Sequence, residues 1–524
     1  MTDKQKIDTY NNLNHWQHFR LRLVGEGILV GLFSGLVVGC FRFMLNYEDV
    51  WRAELYSYLR TVSVFYVAGV VAFFLLIAFI LAKLVAYEPL SAGSGIPQVK
   101  GNILGLYKTV WWRIIWAKLL GGVLGIGAGL SLGREGPAIQ LGAMTGQGFS
   151  RFLGRTRMEE RYLISSGAGA GLAAAFNAPL AGVIFTLEEL HKNFSVVVLL
   201  PSLAAALTST IIARLFFGQD TIFLFPDISR FPVEYLPYLA MLGACLGLLG
   251  AFFNYCLVKS ADFYQLPFFK NDFMRIAFPL MVAIPLGFYL PQVLGGGNTL
   301  VDSLVNMNFS LQLLLVFLVC KFIFTMLSYG CGVPGGFFLP MLVVGALAGN
   351  ILGSIFVDLG LIDSYYRTHV IIFAMAGFFS ASVRAPITGI ILIMEMTASF
   401  KHLVPLAIVA VFSYVVAELC HSKPIYDSLL QRALAKGKAA TLHLEKGSTR
   451  NVLELSVESG SFIEGKMIKN VPWPEHTLLV DVKRGEEDIV PSGDTRIAAG
   501  DYLYVLTDNN HCQRLRELLE KQKG

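Results

Sequence analysis

The chain has 524 residues, of which 55% are hydrophobic and 15% are charged, and its formal net charge is +5. A soluble globular domain carries about 25% charged residues, so this composition excludes an ordinary soluble protein and indicates a polytopic membrane protein. No basic, aromatic-rich soluble face is evident, which excludes nucleic-acid binding. The seven cysteines form no CxxC pair, and we predict neither a metal site nor a cofactor.

Apolar runs recur along the chain, and several are short or contain Gly or Pro. A membrane-spanning helix needs roughly 20 apolar residues. Short, interrupted runs are typical of broken helices that line a transport site. The runs are residues 28–45, 63–87, 114–132, 167–187, 196–212, 236–257, 276–290, 311–326, 337–356, 370–393 and 403–419.

The polar N-terminal segment, residues 1–19, has mixed charge and no cleavable signal pattern, so we expect it to stay in the cytoplasm. Basic residues collect at the ends of the apolar runs, as they do in cytoplasmic loops. We therefore predict a multi-pass protein of the cell membrane with both termini in the cytoplasm. These basic residues include Arg20, Arg22, Lys100, Lys108, Arg113, Arg151, Arg155, Arg157 and Lys423.

Three glycine-rich motifs interrupt the apolar runs. Each places glycines shortly before a proline, which predicts an exposed helix start. The free N–H groups and positive dipole end of such a start bind anions, and Ser94 adds a neutral hydroxyl donor. Close helix packing by the glycines, and Ser94 as an ordinary helix cap, are the alternatives. The motifs are Gly93-Ser94-Gly95-Ile96-Pro97, Gly133-Arg134-Glu135-Gly136-Pro137 and Gly335-Gly336-Phe337-Phe338-Leu339-Pro340.

The second motif carries two charges, Arg134 and Glu135, between apolar segments. Ionisable groups at membrane depth are costly and usually mark an ion or proton path. Gly136 lets the backbone come close to a ligand. Because a carboxylate at an anion-binding helix start competes with the anion, the motif predicts a gate at Glu135.

An internal repeat divides the apolar region. Residues 177–190 read NAPLAGVIFTLEEL, and residues 384–397 read RAPITGIILIMEMT. Upstream, Pro137 and Pro340 are each followed by two glycines at the same spacing. Since both matches occur in the same order, residues 20–215 and 230–420 form two related halves. The repeat alone leaves open whether the halves run parallel or inverted.

The composition changes near residue 430, after which the chain becomes polar and then alternates like short strands. Strands are predicted at residues 451–457, 477–483 and 502–506, with turn signals between them, and an amphipathic helix at 510–521. We predict a small α+β cytoplasmic domain over residues 440–524.

With these motifs in this order, the chain resembles the CLC family of chloride channels and chloride/proton exchangers over about residues 20–435. The segment His421-Ser422-Lys423-Pro424-Ile425-Tyr426 is similar to the final short helix of the family, which carries a pore tyrosine. The resemblance implies an all-α polytopic membrane domain built as a two-fold inverted repeat of broken and tilted helices. It also implies a homodimer in which each subunit has its own pore.

The resemblance implies a central chloride site made by the hydroxyl groups of Ser94 and Tyr426 and the backbone N–H groups of Phe337 and Phe338. For Tyr426, the alternative is an aromatic residue at the membrane interface. Both Ser94 and Pro137 are present, whereas fluoride-selective relatives tend to depart from them. Chloride, with nitrate or bromide tolerated, is therefore the expected substrate class.

The resemblance implies that two glutamates couple the movement of chloride to the movement of protons. Glu135 would be the gating glutamate, which blocks the outer anion site when charged and leaves it when protonated. Glu189 would be the internal residue that passes protons towards the gate; the alternative is an interfacial carboxylate near Lys192. Supporting positions, with a packing role as the alternative, are Arg134, Gly136, Lys118 and Glu188.

The C-terminal segment resembles the TrkA-C (RCK-C) module of potassium-transport regulators. The similarity lies in Ile489-Val490-Pro491-Ser492-Gly493-Asp494-Thr495 and Ala499-Gly500-Asp501. It implies regulation by a small molecule or by dimerisation, with a passive assembly role as the alternative.

Three other functions compete with chloride/proton antiport. A passive voltage- or pH-gated chloride channel is the nearest rival, since channel members of the family usually lack an ionisable residue at the position of Glu189. An intramembrane hydrolase would use Ser131 in a G-x-S-x-G match, but a base is missing, so no enzyme activity is predicted. A ligand-sensing receptor leaves the pore motifs unexplained.

Overall fold

The computed structural model describes residues 3–61, 64–219, 222–223, 229–435, 450–457, 461–475, 477–484, 487–508, 514–515 and 518. The chain divides into two compact units, Met1–Leu442 and His443–Gly524. The described part of the first unit is helical, and the β-sheet belongs to the second unit.

The described residues of the first unit form two successive sets of eight α-helices, followed by one more α-helix. The first set is α1 (Asp3–Leu59), α2 (Val64–Tyr87), α3 (Ile96–Ile103), α4 (Trp111–Gly127), α5 (Glu135–Phe152), α6 (Arg157–Phe176), α7 (Pro179–Phe185) and α8 (Val196–Phe217). The second set is α9 (Leu236–Phe263), α10 (Asp272–Tyr289), α11 (Asn298–Asn306), α12 (Leu311–Gly330), α13 (Phe338–Asp358), α14 (Arg367–Val383), α15 (Pro386–Met396) and α16 (Leu403–Leu419). Helix α17 (Ile425–Ala435) is the last described helix of the unit.

Helices of very different length alternate in this unit. Among the described residues, eight helices are long and apolar enough to cross a membrane. The short helices α3, α7, α11 and α15 have 8, 7, 9 and 11 residues, well below the roughly 20 that a span needs. Helices α5, α6, α13 and α14 are buried along most of their length, so the starts of α5 and α13 lie inside the protein.

Two predicted apolar runs, residues 167–187 and 370–393, are not continuous helices. Each breaks at a residue with left-handed backbone, Asn177 at φ 56° and Arg384 at φ 70°. A proline two residues later, Pro179 or Pro386, begins the next helix. The alanine before each proline is pushed out of the helical region by the proline ring, so these two runs are the broken helices that the Gly- and Pro-interrupted pattern predicts. The run at 114–132 is also shorter as a helix, because α4 ends at Gly127.

Reciprocal hydrogen bonds relate the two sets of helices. The Glu188 carboxylate of the first set accepts from two backbone N–H groups at the start of α15, at 3.1 and 2.7 Å. The Glu395 carboxylate of the second set accepts from two backbone N–H groups at the start of α7, at 3.0 and 2.8 Å. Each half therefore caps a short helix of the other half, which stabilises the helix start.

Two buried lysines also make equivalent contacts in the two sets of helices. Lys118 Nζ on α4 donates to two carbonyl oxygens of the loop before α3, at 2.9 and 2.6 Å. Lys321 Nζ on α12 donates to two carbonyl oxygens of the loop before α11, both at 2.8 Å. These equivalent contacts define which residue of the first half corresponds to which residue of the second half. At the positions of the predicted site residues, the two halves carry different amino acids. The equivalent pairs are Ser94 and Gly296, Glu135 and Phe338, and Glu189 and Met396.

The second unit contains a four-stranded antiparallel sheet in the order β1-β4-β2-β3. Its strands are β1 (Arg450–Ser456), β2 (Leu478–Arg484), β3 (Glu487–Ile489) and β4 (Asp501–Asp508). The sequence predicts β1, β2 and β4 and misses β3, which is only three residues long. One face carries an apolar core that includes Val482, Leu503 and Val505. The helix predicted at 510–521 lies mostly outside the described residues.

Candidate functional site

The three glycine-rich motifs meet at the centre of the first unit. The Gly93 N–H donates to the Val333 carbonyl at 3.2 Å, and the Gly335 N–H donates to the Gly93 carbonyl at 3.0 Å. Gly133 and Gly336 exchange two backbone hydrogen bonds, at 2.5 and 2.9 Å. The loops that precede α3, α5 and α13 are therefore joined by backbone hydrogen bonds.

Glycine is required at Gly136 because the chain passes so close to its neighbours. A Cβ atom there would lie 2.6 Å from Ser94 Oγ, nearer than a carbon and an oxygen can approach. The same contact shows that Ser94 faces the first turn of α5. The predicted support role of Gly136 thus has a geometric basis, namely room for the Ser94 hydroxyl beside the helix start.

Two helices begin at this junction without a side-chain cap. Glu135 is the first residue of α5, and Phe338 is the first residue of α13. The third residues, Pro137 and Pro340, have no N–H group. The remaining N–H groups and the positive ends of the helix dipoles attract negative charge. The arrangement can therefore bind an anion between the two helix starts.

Two hydroxyl groups are buried at the same place. Ser94 and Tyr426 are almost fully buried, and neither hydroxyl has a hydrogen-bond partner among the described residues. The Tyr426 ring lies against the Phe337 ring, with centroids 5.4 Å apart. An unpartnered buried hydroxyl costs about 1–3 kcal/mol, so both groups are suited to donate to a ligand. Ser94 does not cap α3, whose N-cap is Gly95.

Glu135 is fully buried, and neither carboxylate oxygen accepts a well-formed hydrogen bond from the described residues. The backbone N–H groups of Glu135 itself and of Leu339 lie near the carboxylate, as do the charges of Arg134 and Arg42. The carboxylate thus lies at the positive end of α5, close to two backbone N–H groups and two arginines.

A polar cavity of about 230 Å³ lies close to Glu135, lined by Arg42, Arg134 and Asn46 among others. Arg134 Nη1 donates to Asn46 Oδ1 at 3.3 Å, and Arg42 Nη1 donates to the Ala174 carbonyl at 2.5 Å. Arg42 was not among the predicted site residues, although a charge inside the apolar run 28–45 is a recognisable signal. The cavity concentrates positive charge next to Glu135.

Lys118 lies next to the loop before α3 and is completely buried. Its ammonium group donates to the carbonyls of Ser91 and Gly93, the residues that lead into Ser94. Lys118 therefore holds the Ser94 loop in place, and its charge lies within the same buried region. Its counterpart Lys321 does the same for a loop that carries no serine.

Glu189 occupies a π-helical turn, Thr186–His191, and its side chain is only 2% exposed. It pairs with Lys100 Nζ at 3.0 Å, and not with the neighbouring Lys192. Lys100 also contacts the Asp427 carboxylate, which pairs with Lys192 at 2.5 Å. Glu188, one residue earlier, points to the start of α15 instead.

Helix α17 connects the two groups of residues. Tyr426 contributes to the cluster around Ser94, and the next residue, Asp427, contributes to the ion pairs around Glu189. Lys100 was predicted to be one of the basic residues at the ends of spans, but its side chain is buried. Asp427 was not predicted, and no motif points to either contact.

Comparison with known proteins supports the resemblance seen in the motifs. The family model described as "Voltage gated chloride channel" matches residues 73–418, and the TrkA-C domain model matches residues 452–520. A protein named H(+)/Cl(-) exchange transporter ClcA from Vibrio cholerae serotype O1 is 33% identical over 431 residues, which cover 78% of this chain and 89% of that protein. The protein of the same name from Vibrio parahaemolyticus is 35% identical over 426 residues, with the same coverage.

A solved structure described as a slow cyanobacterial Cl−/H+ antiporter matches with a TM-score of 0.75 and 32% identity, covering 79% of this chain and 98% of that one. The predicted fold class is thereby confirmed: a CLC-type inverted repeat of broken helices with a small α+β domain after it. The relatives are named as transporters, which confirms the prediction that the chain is not an enzyme. This multi-pass membrane protein therefore belongs to the CLC, or voltage gated chloride channel, family and carries a TrkA-C domain.

Proposed function

We propose that the protein exchanges chloride for protons across the cell membrane. The observation that carries the proposal is the buried, unpartnered Glu135 carboxylate at the uncapped start of α5, next to two unpartnered hydroxyl groups. An anion and this carboxylate compete for the same positive region. The relatives named as exchange transporters, and the related antiporter structure, support the same function.

Chloride binds in this proposal between the Ser94 and Tyr426 hydroxyls and the N–H groups of Phe337 and Phe338 at the start of α13. All of these donors are neutral. Neutral donors hold an anion weakly enough to release it again, as conduction requires. Arg42 and Arg134 raise the local concentration of anions at the neighbouring cavity.

Glu135 acts as the gate. As a carboxylate it occupies the outer anion site, and once protonated it loses its attraction to the helix starts and leaves the site to chloride. One group thus carries the proton and blocks the anion, so the two fluxes depend on each other. Arg134 stabilises the charged form beside it, and Gly136 leaves the space in which the Ser94 hydroxyl lies.

Glu189 supplies protons to the gate and distinguishes exchange from passive conduction. A carboxyl group that is 2% exposed is costly at membrane depth and is commonly part of a proton path. Tyr426 lies within electrostatic range of both Glu189 and Glu135, which supports a proton path between the two carboxyl groups. A passive channel needs no ionisable group at this position.

Glu189 faces the cytoplasm in this proposal. Its side of the unit carries Lys192 and Arg155 in connections between helices and Arg22 near the start of the α1 span. Short cytoplasmic segments next to spans are enriched in Lys and Arg. Arg155 pairs with Glu26, and Arg22 pairs with Glu159. The start of the α1 span therefore lies on the same side of the membrane unit. Both termini are then cytoplasmic. We also propose a homodimer and a small-molecule regulator of the C-terminal unit.

Flux measurements on purified protein in liposomes test the proposal. A chloride gradient should drive protons uphill in the unmodified protein, and a passive chloride channel would move none. In Glu135→Gln, which cannot become charged, chloride movement should persist without pH dependence and proton movement should vanish. Retained coupling in Glu135→Gln would remove Glu135 from the role of gate.

A further inference from the structure

A line of ion pairs joins Glu189 to the edge of the membrane unit. Glu189 pairs with Lys100, Lys100 contacts Asp427, and Asp427 pairs with Lys192. The exposed fraction of the side chain rises along this line, from 2% and 7% at the first two residues to 24% and 51% at the last two. The inner two groups are thus shielded from water, and the outer two reach it.

Two other ionisable groups near Glu189 are engaged elsewhere, and a third is shielded from solvent. Both oxygens of Glu188 accept hydrogen bonds from the start of α15. The His191 ring shares a hydrogen bond of 2.6 Å with the Ser165 hydroxyl on α6. The Tyr426 hydroxyl is completely buried. Among the described residues, the hydrogen bonds of Lys100 are therefore the connection from Glu189 towards solvent.

We propose that protons from the cytoplasm reach Glu189 through Asp427 and Lys100. Asp427 takes the proton from water, and Lys100 relays it. This inference rests on the proposed exchange of chloride for protons, and it names the route by which the internal glutamate is loaded. Lys192 keeps the Asp427 carboxylate at the mouth of this route.

The relay conserves atoms and charge. A hydronium ion or buffer acid protonates the Asp427 carboxylate. The Lys100 ammonium then gives one proton to Glu189, and the resulting amine takes the proton of the Asp427 carboxylic acid. At the end Glu189 is neutral, Lys100 is again charged and Asp427 is again a carboxylate. The net change is one proton moved from the cytoplasm to Glu189.

The relay needs a lysine, because an arginine at the same place cannot release a proton. Arginine keeps the positive charge and pairs well with carboxylates, but it stays protonated in proteins. Lys100→Arg therefore separates a relay from an electrostatic support. A supporting charge would be preserved in this variant, whereas a proton-releasing group would be lost.

The test measures proton and chloride movement in liposomes for full-length Lys100→Arg and Asp427→Asn proteins. We expect the ratio of proton to chloride flux to fall to about a tenth or less of the unmodified value in both variants. Chloride affinity, measured by calorimetry, should stay within about twofold, which shows that the Ser94 and Tyr426 site is intact.

Asp262→Asn is the matched control, because Asp262 pairs with Arg432, which lies further along the same helix α17. It should retain the unmodified flux ratio. Normal flux ratios in both Lys100→Arg and Asp427→Asn, with coupling intact in the unmodified protein, would overturn the relay alone. Absence of chloride-driven proton movement from the unmodified protein would contradict the proposed exchange, and the relay with it.

Discussion

The two halves of the membrane unit use the same framework, but the ionisable residues of the proposed gate and proton path lie in the first half, whereas the second half contributes backbone N–H groups of Phe337 and Phe338. Lys118 and Lys321 hold equivalent loops, and Glu188 and Glu395 cap equivalent helices. Ser94, Glu135 and Glu189 correspond to glycine or apolar residues at the equivalent positions of the second half.

The comparison separates two kinds of residue. Polar groups that occur in both halves maintain the fold, since each makes the same contact twice. Polar groups that occur once, at positions where the framework does not need them, are free to serve transport. This distinction predicts that paired variants at equivalent positions have equal effects on stability and unequal effects on ion movement.

The largest effect is expected at the two buried lysines. Replacing Lys118 or Lys321 by Met leaves two carbonyl groups without a donor, which costs about 1–3 kcal/mol each. Thermal unfolding in detergent should show a similar loss for both variants. Chloride affinity should fall only in Lys118→Met, because only that loop carries Ser94. Equal loss of affinity in both variants would contradict the division of roles.

The next effect concerns the two unpartnered hydroxyl groups. Ser94→Ala and Tyr426→Phe each remove one donor worth about 1.5 kcal/mol to an anion, so calorimetry should show chloride affinity about tenfold lower. Ser131→Ala is the matched control, because the Ser131 hydroxyl bonds to the Thr325 hydroxyl at 2.8 Å and not to the site. Unchanged affinity in both test variants would remove these hydroxyls from the chloride site.

A smaller effect is expected at the reciprocal caps. Glu188→Gln and Glu395→Gln each keep a weaker acceptor at a helix start, so each should lower stability by about 1 kcal/mol. Proton coupling should persist in both. Loss of coupling in Glu188→Gln alone would mean that Glu188 takes part in proton transfer and is more than a cap.

The smallest effect on transport belongs to the C-terminal unit, which lies outside the repeat. Although burial alone would raise the pKa of Asp501, hydrogen bonds from Arg484, at 2.8 Å, and from the Ala498 N–H hold it below its usual value. A lowered pKa stabilises the folded unit above about pH 4. This stability is lost as the pH falls through the folded-state pKa.

Asp501→Asn removes that contribution. Hydrogen exchange of the C-terminal unit in the full-length protein should be faster in the variant at neutral pH, and the difference should disappear at acidic pH. Chloride flux should stay unchanged. A difference that does not depend on pH would show that the charge of Asp501 is irrelevant to stability.

The sequence predicts the framework well because glycine, proline and repeated motifs mark helix starts directly. Gly133 to Pro137 and its counterpart at 335–340 show where α5 and α13 begin, and the Ala-Pro repeat shows α7 and α15. The same motifs also indicate the end of the preceding helix, since a proline two residues after Asn177 and Arg384 keeps the intervening alanine out of the helical region.

Contacts between distant segments are the part that the sequence does not reveal. In the sequence, Lys100 is one of several basic residues at the ends of spans. It contacts Asp427 of α17, which lies more than 300 residues later in the chain. Asp427 follows Tyr426 without a motif of its own. Arg42 is the exception, since a charge inside an apolar run stands out in the amino-acid sequence.

The most direct test of exchange compares Glu189→Gln with Met396→Gln, which introduces the same side chain at the equivalent position of the second half. Proton and chloride fluxes are measured together in liposomes under a chloride gradient. We predict that Glu189→Gln abolishes proton movement while chloride still moves, and that Met396→Gln keeps both. Full proton coupling in Glu189→Gln would contradict the assignment of the internal proton path to this glutamate.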